Sequence, residues 1–160
     1  MSEPIKVLFV CLGNICRSPM AENVMRQLVV DAGLMDKIEV DSAGTAGYHA
    51  GDSPHRGTQR VLAEHHIPCT GYSRQLTKAD MRQDRTWIIG MDDSNMQNMQ
   101  RLGVSHSKFF KLLGFADSNI APADLNVPDP YYTGNFEYVY QLVLSGCEGL
   151  LENIKQEGPL

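Results

Sequence analysis

Apolar and polar positions follow two rhythms along this chain, and the switches between them divide it into strands and helices. Ile5 to Val10 (IKVLFV) is mostly apolar and rich in β-branched residues, which predicts a central strand buried on both faces. Ser18-Pro19 then gives a helix-start signal, serine as N-cap and proline at the first helical position. Met20, Val24 and Leu28 mark one face of that helix, and Gly33 closes it. Ile38 to Val40 predicts a second strand. Ser53-Pro54 repeats the start signal for a helix running toward His66 and ending before Pro68. Thr77 to Asp80 has the form of a capping box before a short helix. Trp87 to Met91 reads as a third strand, Asp92 to Arg101 as the helix behind it, and Lys108 to Leu112 as a fourth strand. Phe136, Val139, Val143, Cys147, Leu150 and Ile154 recur at spacings of three and four and mark the last helix. No repeat, low-complexity tract or linker interrupts this order. The expectation is a single domain over residues 1–160, an α/β fold with a parallel four-stranded sheet and helices on both faces. In such folds ligands gather at the carboxyl ends of the strands.

At that place stands Cys11-Leu12-Gly13-Asn14-Ile15-Cys16-Arg17-Ser18, between the first strand and the first helix. A short loop of this kind can turn successive backbone N–H groups into one concavity, a nest for an anion. The helix after it adds its positive end. Gly13 permits a backbone that a side chain would resist, and Arg17 supplies a planar fork suited to two oxygens of a phosphate. Cys11, at the strand end, faces this positive potential, and such surroundings favour a nucleophilic thiolate. A cysteine, five residues and an arginine match many proteins by accident, and a buried structural cysteine beside a surface arginine would leave the same trace. The strand before, the glycine inside and the Ser-Pro after favour the functional reading.

Composition narrows the partners. The chain is 42% hydrophobic and 21% charged, and its net charge of -5 argues against non-specific nucleic-acid binding. No apolar stretch is long enough to span a bilayer. Met1 to Pro4 lead directly into the first strand, so no export signal is expected, and the expected location is cytoplasmic. Four cysteines (Cys11, Cys16, Cys69, Cys147) are too sparse for a disulfide scaffold. His49, His55, His65, His66 and His106 show no metal-ligand spacing, and Cys11 and Cys16 beside Arg17 make a poor cation site, so neither metal nor cofactor is expected. His65-His66 reads as a solvated helix end, Arg82 to Arg85 as a solvated turn, and Met81, Met91, Met96 and Met99 as packing. Asp92-Asp93 reads as an N-cap or a support for the loop rather than a magnesium site.

Val7 to Glu22, VLFVCLGNICRSPMAE, resembles the signature of the low-molecular-weight protein tyrosine phosphatases almost residue for residue. The similarity continues through Asp41-Ser42-Ala43-Gly44, Ile67-Pro68, Arg74-Gln75, Met91-Asp92-Asp93-Ser94-Asn95 and Asp129-Pro130-Tyr131-Tyr132. The resemblance implies that Cys11 is the nucleophile and forms a cysteinyl-phosphate. Arg17 would bind the phosphate oxygens, together with backbone N–H groups of Leu12, Gly13, Asn14, Ile15, Cys16 and Arg17, and Ser18 counts with them as phosphate-binding. Ser18 corresponds to the hydroxyl that bonds the thiolate; Asn14, Ser42 and Asp92 correspond to residues that support the loop. Asp129 corresponds to the general acid and base, needed because a phenol with a pKa of about 10 leaves slowly without a proton. Pro130 would stiffen its loop.

Phosphotyrosine is long and flat, so aromatic walls around a deep nest would select it. Leu12, Ile15, Tyr48, Tyr131 and Tyr132 correspond to such walls. A related arginine-phosphatase branch carries threonine where Ile15 stands, which tilts this chain toward phosphotyrosine. The family also uses the pair matching Cys11 and Cys16 as a reversible disulfide under oxidation; a small buried Cys16 is the competing reading. Implied partners are phosphotyrosine-containing proteins and a cognate tyrosine kinase, with inhibitory phosphate or vanadate. Animal members often carry a loop-bracing histidine where this chain has Gly71, which leaves one supporting hydrogen bond to be found. Alternatives on the same scaffold are a protein arginine phosphatase and an arsenate reductase. The latter needs a close pair of further cysteines that Cys69 and Cys147, far apart in the chain, do not form. A phosphoprotein-binding module would need neither Cys11 nor Asp129.

Overall fold

Strand β1 (Ile5–Cys11) lies at the centre of a parallel sheet with β2 (Ile38–Gly44) on one side and β3 (Thr86–Gly90) on the other; β4 (Phe109–Lys111) completes the order β2-β1-β3-β4. The computed structural model describes residues 3–81, 85–105 and 108–157. Because side chains alternate along a strand, Val7, Phe9 and Cys11 enter one apolar cluster while Leu8 and Val10 enter another. The first cluster packs against α1 (Arg17–Asp31), α2 (Arg56–Glu64) and α5 (Phe136–Gln156), the second against Met99 of α3 (Asp93–Arg101). Helices therefore cover both faces, as the buried run IKVLFV predicts. A one-residue slip of β1 would exchange the two clusters, so the register that sets Cys11 opposite Gly44 is pinned by packing.

Several boundaries differ from the sequence reading. Helix α1 begins at Arg17 with Cys16 as N-cap and no side-chain cap bond, so Ser18 lies inside the first turn and its hydroxyl is free for other work. His55, not Ser53, caps α2: its Nδ1 accepts the N–H of Gly57 at 3.0 Å, and the helix ends at Glu64. Thr77 and Asp80 do form the reciprocal bonds of a capping box, but residues 78–81 are a turn, and the Asp80 carboxylate is shared with Arg74, which also bonds Asp41 of β2. Strand β2 runs four residues further than Ile38–Val40 predicts. The fourth strand stops at Lys111 and gives way to a 3-10 turn, Leu112–Phe115. Arg82, Gln83 and Asp84 of the expected solvated turn, and His106, lie outside the described residues. Met91 and Met99 are fully buried, and Met81 and Met96 pack on the second cluster. No described helix is long and apolar enough to cross a membrane.

Candidate active site

The loop that leaves β1 turns its carbonyls outward. Cys11 O accepts from Thr45 N, Leu12 O from Ala46 N, Ile15 O from His55 N, Gly13 O from the Ser73 hydroxyl and Cys16 O from the Thr58 hydroxyl. Among the described residues, no backbone N–H from Gly13 to Ser18 finds a protein acceptor. Carbonyls tied outward and amides left free make an electropositive hollow at the N-terminus of α1.

The hollow has a volume of about 300 Å³. Cys11, Leu12, Gly13, Ile15, Cys16 and Arg17 of the loop line it. Asn14 and Ser18, expected among the phosphate-binding residues, turn their side chains away from it. Asn14 holds the left-handed region at φ 57° and sends its amide behind the loop, where Nδ2 donates to Ser18 Oγ at 2.8 Å and to Ser42 Oγ at 2.9 Å. Asn14 Oδ1 accepts the N–H of Arg74 at 3.0 Å. Ser18 Oγ in turn lies 3.0 Å from Cys11 Sγ. What these two residues can offer an anion from within the loop is their backbone N–H.

The Arg17 guanidinium is buried and held from behind. Nη1 donates to Asp92 Oδ2 at 2.6 Å and to the carbonyl of Val127 at 2.8 Å. Nη2 lies 3.5 Å from Asp129 Oδ2. Burial works against its charge, but Cys11, Asp92 and Asp129 outweigh burial and hold the group above its ordinary value. Asp92 is at once this support and the N-cap of α3, where it forms a capping box with Asn95. Burial, with Asp129 and Cys11, pushes the Cys16 thiol up to about 12, against the pull of Arg17. Asp129 caps a single helical turn, α4 (Pro130–Thr133): its Oδ1 accepts the N–H of Tyr131 at 3.0 Å, leaving Oδ2 toward the hollow.

Tyr48, Tyr131 and Tyr132 border the mouth, largely exposed, with the Tyr131 and Tyr132 rings edge to face at 5.2 Å. Of the expected residues, Cys11, Leu12, Gly13, Ile15, Cys16, Arg17, Tyr48, Asp129, Tyr131 and Tyr132 line the hollow, while Asn14, Ser18, Ser42 and Asp92 lie outside its lining and are tied to it by hydrogen bonds. Sequence reasoning missed His49, which also lines the hollow; its Nδ1 lies 3.2 Å from Asp52 Oδ2, and its ring lies against Gly13 so that a Cβ there would stand 3.0 Å from Cδ2. It missed Val127, whose part is played by a carbonyl, and His55, whose ring stacks on Phe136 at 5.0 Å and meets the edge of Tyr131 at 6.0 Å. His65 is not a solvated helix end: it stacks on Tyr140 at 3.9 Å, and its Nε2 bonds Glu137 at 2.9 Å. Gly71, at φ 99°, presents no side chain to the loop; the Asn14 amide is braced by Arg74 N, Ser18 and Ser42. No group of three or more His, Cys, Asp or Glu side chains among the described residues could hold a metal ion.

An anion-binding loop of this build, after the first strand of a parallel sheet, defines a class of phosphate-handling α/β proteins. Comparison places it more closely: the chain belongs to the low molecular weight phosphotyrosine protein phosphatase family, which it matches over residues 6–160. It is 48% identical over 162 residues to the low molecular weight protein-tyrosine-phosphatase YfkJ of Bacillus subtilis, covering 98% of this chain and 99% of that one. The PtpA protein-tyrosine-phosphatase of Staphylococcus epidermidis is 46% identical over 157 residues, with 98% and 97% covered. The crystal structure of YfkJ superposes with a TM-score of 0.91 over 99% of both chains. That of DARP, a drosophila arginine phosphatase, does so with a TM-score of 0.83 at 31% identity, covering 96% of this chain and 99% of that one.

Proposed function

We propose that this chain hydrolyses phosphotyrosine in proteins through a cysteinyl-phosphate. The observation that carries the reading is the run of unpaired amides from Gly13 to Ser18 closing on Cys11, with the tethered Arg17 beside it. These donors match the charge on the oxygens of a phosphoryl group in flight, and they are in place before the substrate arrives. Cys11 Sγ attacks phosphorus and the bond to the phenolic oxygen breaks. Asp129 gives its proton to that oxygen, so tyrosine leaves neutral. As a carboxylate, Asp129 then takes a proton from water, whose oxygen attacks phosphorus and displaces the Cys11 thiolate; inorganic phosphate departs. Ser18, 3.0 Å from Sγ, steadies the sulfur in both steps. Leu12, Ile15, Tyr48, Tyr131 and Tyr132 flank the phenyl ring, and Asn14, Ser42 and Asp92 hold the loop and Arg17 in shape.

Substrates of this class come from a tyrosine kinase, and phosphate or vanadate competes for the same nest. The test is hydrolysis of phosphotyrosine, phosphoserine, phosphoarginine and arsenate turnover side by side, with acid-quench detection of phosphate on Cys11. Phosphotyrosine should be preferred, and Cys11→Ser should abolish turnover while still binding vanadate. A preference for phosphoarginine, or thiol-dependent arsenate reduction without phosphate release, overturns the reading.

A further inference from the structure

Behind the hollow the hydrogen bonds form one chain whose direction is fixed from its far end. Glu22, nearly buried on α1, has Ser42 and Arg26 as its hydrogen-bond partners among the described residues: Oε1 accepts from Ser42 Oγ at 2.5 Å and Oε2 accepts from Arg26 Nη2. An ionised carboxylate only accepts, so the one Ser42 proton is committed to Glu22. Ser42 Oγ must then meet Asn14 Nδ2 as an acceptor. The orientation of the Asn14 amide is settled independently, because Oδ1 faces the Arg74 N–H, which can only donate. With one Nδ2 proton on Ser42 and the other on Ser18 Oγ, the Ser18 hydrogen is left for Cys11 Sγ. A hydroxyl donating to sulfur supports its charged form.

We propose that Arg26, acting through Glu22, is a positioning residue for Cys11. Its guanidinium is itself anchored: Nη2 also donates to the Val40 carbonyl at 3.1 Å, and Nη1 to Asn23 Oδ1 at 3.2 Å and Thr70 Oγ1 at 3.1 Å. It is a donor only, so it holds Glu22 Oε2 as an acceptor and leaves Oε1 on the Ser42 hydroxyl. Facing Glu22 from the other side is Gly71, where even a Cβ would stand 3.5 Å from Oε2 and where no side chain contributes charge. Without Arg26 the Oε2 edge of the carboxylate has no partner among the described residues, and nothing holds Oε1 on the Ser42 hydroxyl. The Ser42 hydrogen is then free to turn toward the Asn14 amide, where two donors meet, and the chain loses its direction.

The proposal rests on Cys11 being the nucleophile, and the test separates the two. Arg26→Gln, Arg26→Lys, Glu22→Gln, Ser42→Ala and the Arg26→Gln/Ser42→Ala double variant are compared with wild type. Readouts are kcat and KM for p-nitrophenyl phosphate, inactivation of Cys11 by iodoacetate, and the melting temperature. Arg26→Gln should lower kcat at least fivefold with KM within twofold, and slow alkylation by a similar factor. Arg26→Lys should recover most of both. Glu22→Gln should show the same loss while staying folded, because Arg26, a donor only, turns the new amide so that its NH2 faces Ser42. The double variant should be no slower than Ser42→Ala alone, since both act through one chain. Additive losses, or an Arg26→Gln protein that melts earlier but keeps wild-type kcat and alkylation, overturn the proposal and leave Arg26 a fold stabiliser. A wild-type protein inert toward p-nitrophenyl phosphate would sink the phosphatase reading instead, and the alkylation series would still decide the role of Arg26.

Discussion

Arg17 and Asp129 face one another across the hollow, Nη2 to Oδ2 at 3.5 Å, while the opposite edge of the same guanidinium is fastened to Asp92 and to the Val127 carbonyl. In the mechanism proposed above, the two residues divide two tasks. Arg17 is immobilised from behind, so its open edge is ready for an anion. Asp129 is held through Oδ1 by the N–H of Tyr131, which leaves Oδ2 for the proposed proton exchange.

Asp129→Asn separates these functions of one carboxylate. Asparagine is as good an N-cap, so α4 should persist and the melting temperature should stay within a few degrees. The proton is gone, however. Phenyl phosphate, whose leaving group has a pKa of about 10, should slow by on the order of 10²–10⁴. Substrates with strongly acidic leaving groups should slow far less. The measurement is kcat against leaving-group pKa across a series of aryl phosphates; a parallel drop for every member removes Asp129 from the acid role.

Arg17→Lys should fail as a conservative change. A single ammonium cannot reach Asp92, the Val127 carbonyl and a phosphate oxygen at once, as the two ends of the guanidinium do. Loss of one such transition-state donor costs on the order of 10²–10³ in kcat. The inhibition constant of vanadate, measured alongside, should weaken as well, because the proposed phosphate site offers the analogue the same edge. Wild-type vanadate affinity in Arg17→Lys would mean that the free amides alone shape the nest.

Much of this arrangement is legible in the sequence, for a physical reason that also marks where reading stops. The apolar run of β1 and the loop and helix after it are contiguous, so Cys11, Gly13 and Arg17 announce their neighbourhood without any tertiary information. Ser18 shows the first limit. A serine before a proline looks like an N-cap, yet the loop carries the helix start back to Arg17 and spends the hydroxyl on Cys11 Sγ. The outward partners of the loop carbonyls (Thr45, Ala46, His55, Thr58, Ser73) come from the ends of other elements, and only strand register and helix packing bring them there. Val127 is invisible on principle, since a carbonyl belongs to every residue. Glu22 ends the family signature, but its partner Arg26 lies one turn further along α1, and spacing alone does not separate that pair from an ordinary surface salt bridge.

Cys11 and Cys16 invite a redox prediction whose sign depends on the second thiol. We propose that peroxide oxidises the Cys11 thiolate to a sulfenic acid, and that the Cys16 thiolate then attacks this sulfur and expels hydroxide, closing a disulfide. With its pKa pushed up to about 12, Cys16 is almost wholly protonated at pH 7. Bridge formation should therefore be slow at neutral pH and quicken about tenfold for each unit of rising pH, with sulfinic acid on Cys11 as the competing product at the lower end. Mass spectrometry after a fixed peroxide pulse at pH 6.5, 7.5 and 8.5 reads the ratio. A ratio independent of pH, or no Cys11–Cys16 bridge at any pH, rejects the proposed protection.

The buried thiols also set a limit to stability on the alkaline side. Cys147 is fully buried on α5, its Sγ against the carbonyl of Ala21, and burial pushes its pKa well above the ordinary thiol range, with Glu148 adding to the shift. The folded chain therefore holds this proton after the unfolded chain has released it. Between the unfolded value of about 8.5 and the higher folded one, the native state binds more protons, so unfolding becomes easier as pH rises. The contribution is fully present below about pH 8.5 and fades by about 1.4 kcal/mol for each further unit. Cys16 acts in the same direction up to about 12, and Tyr140, raised by burial and by Glu137, Glu148 and Cys147, joins above its own ordinary range near 10. Urea midpoints taken from pH 7 to 10.5 should stay flat and then fall. Cys147→Ala leaves a small cavity and lowers stability at every pH, but its alkaline slope should be shallower than wild type by about 1.4 kcal/mol per unit. Parallel curves for the two proteins would show that the Cys147 proton is not what the fold is holding.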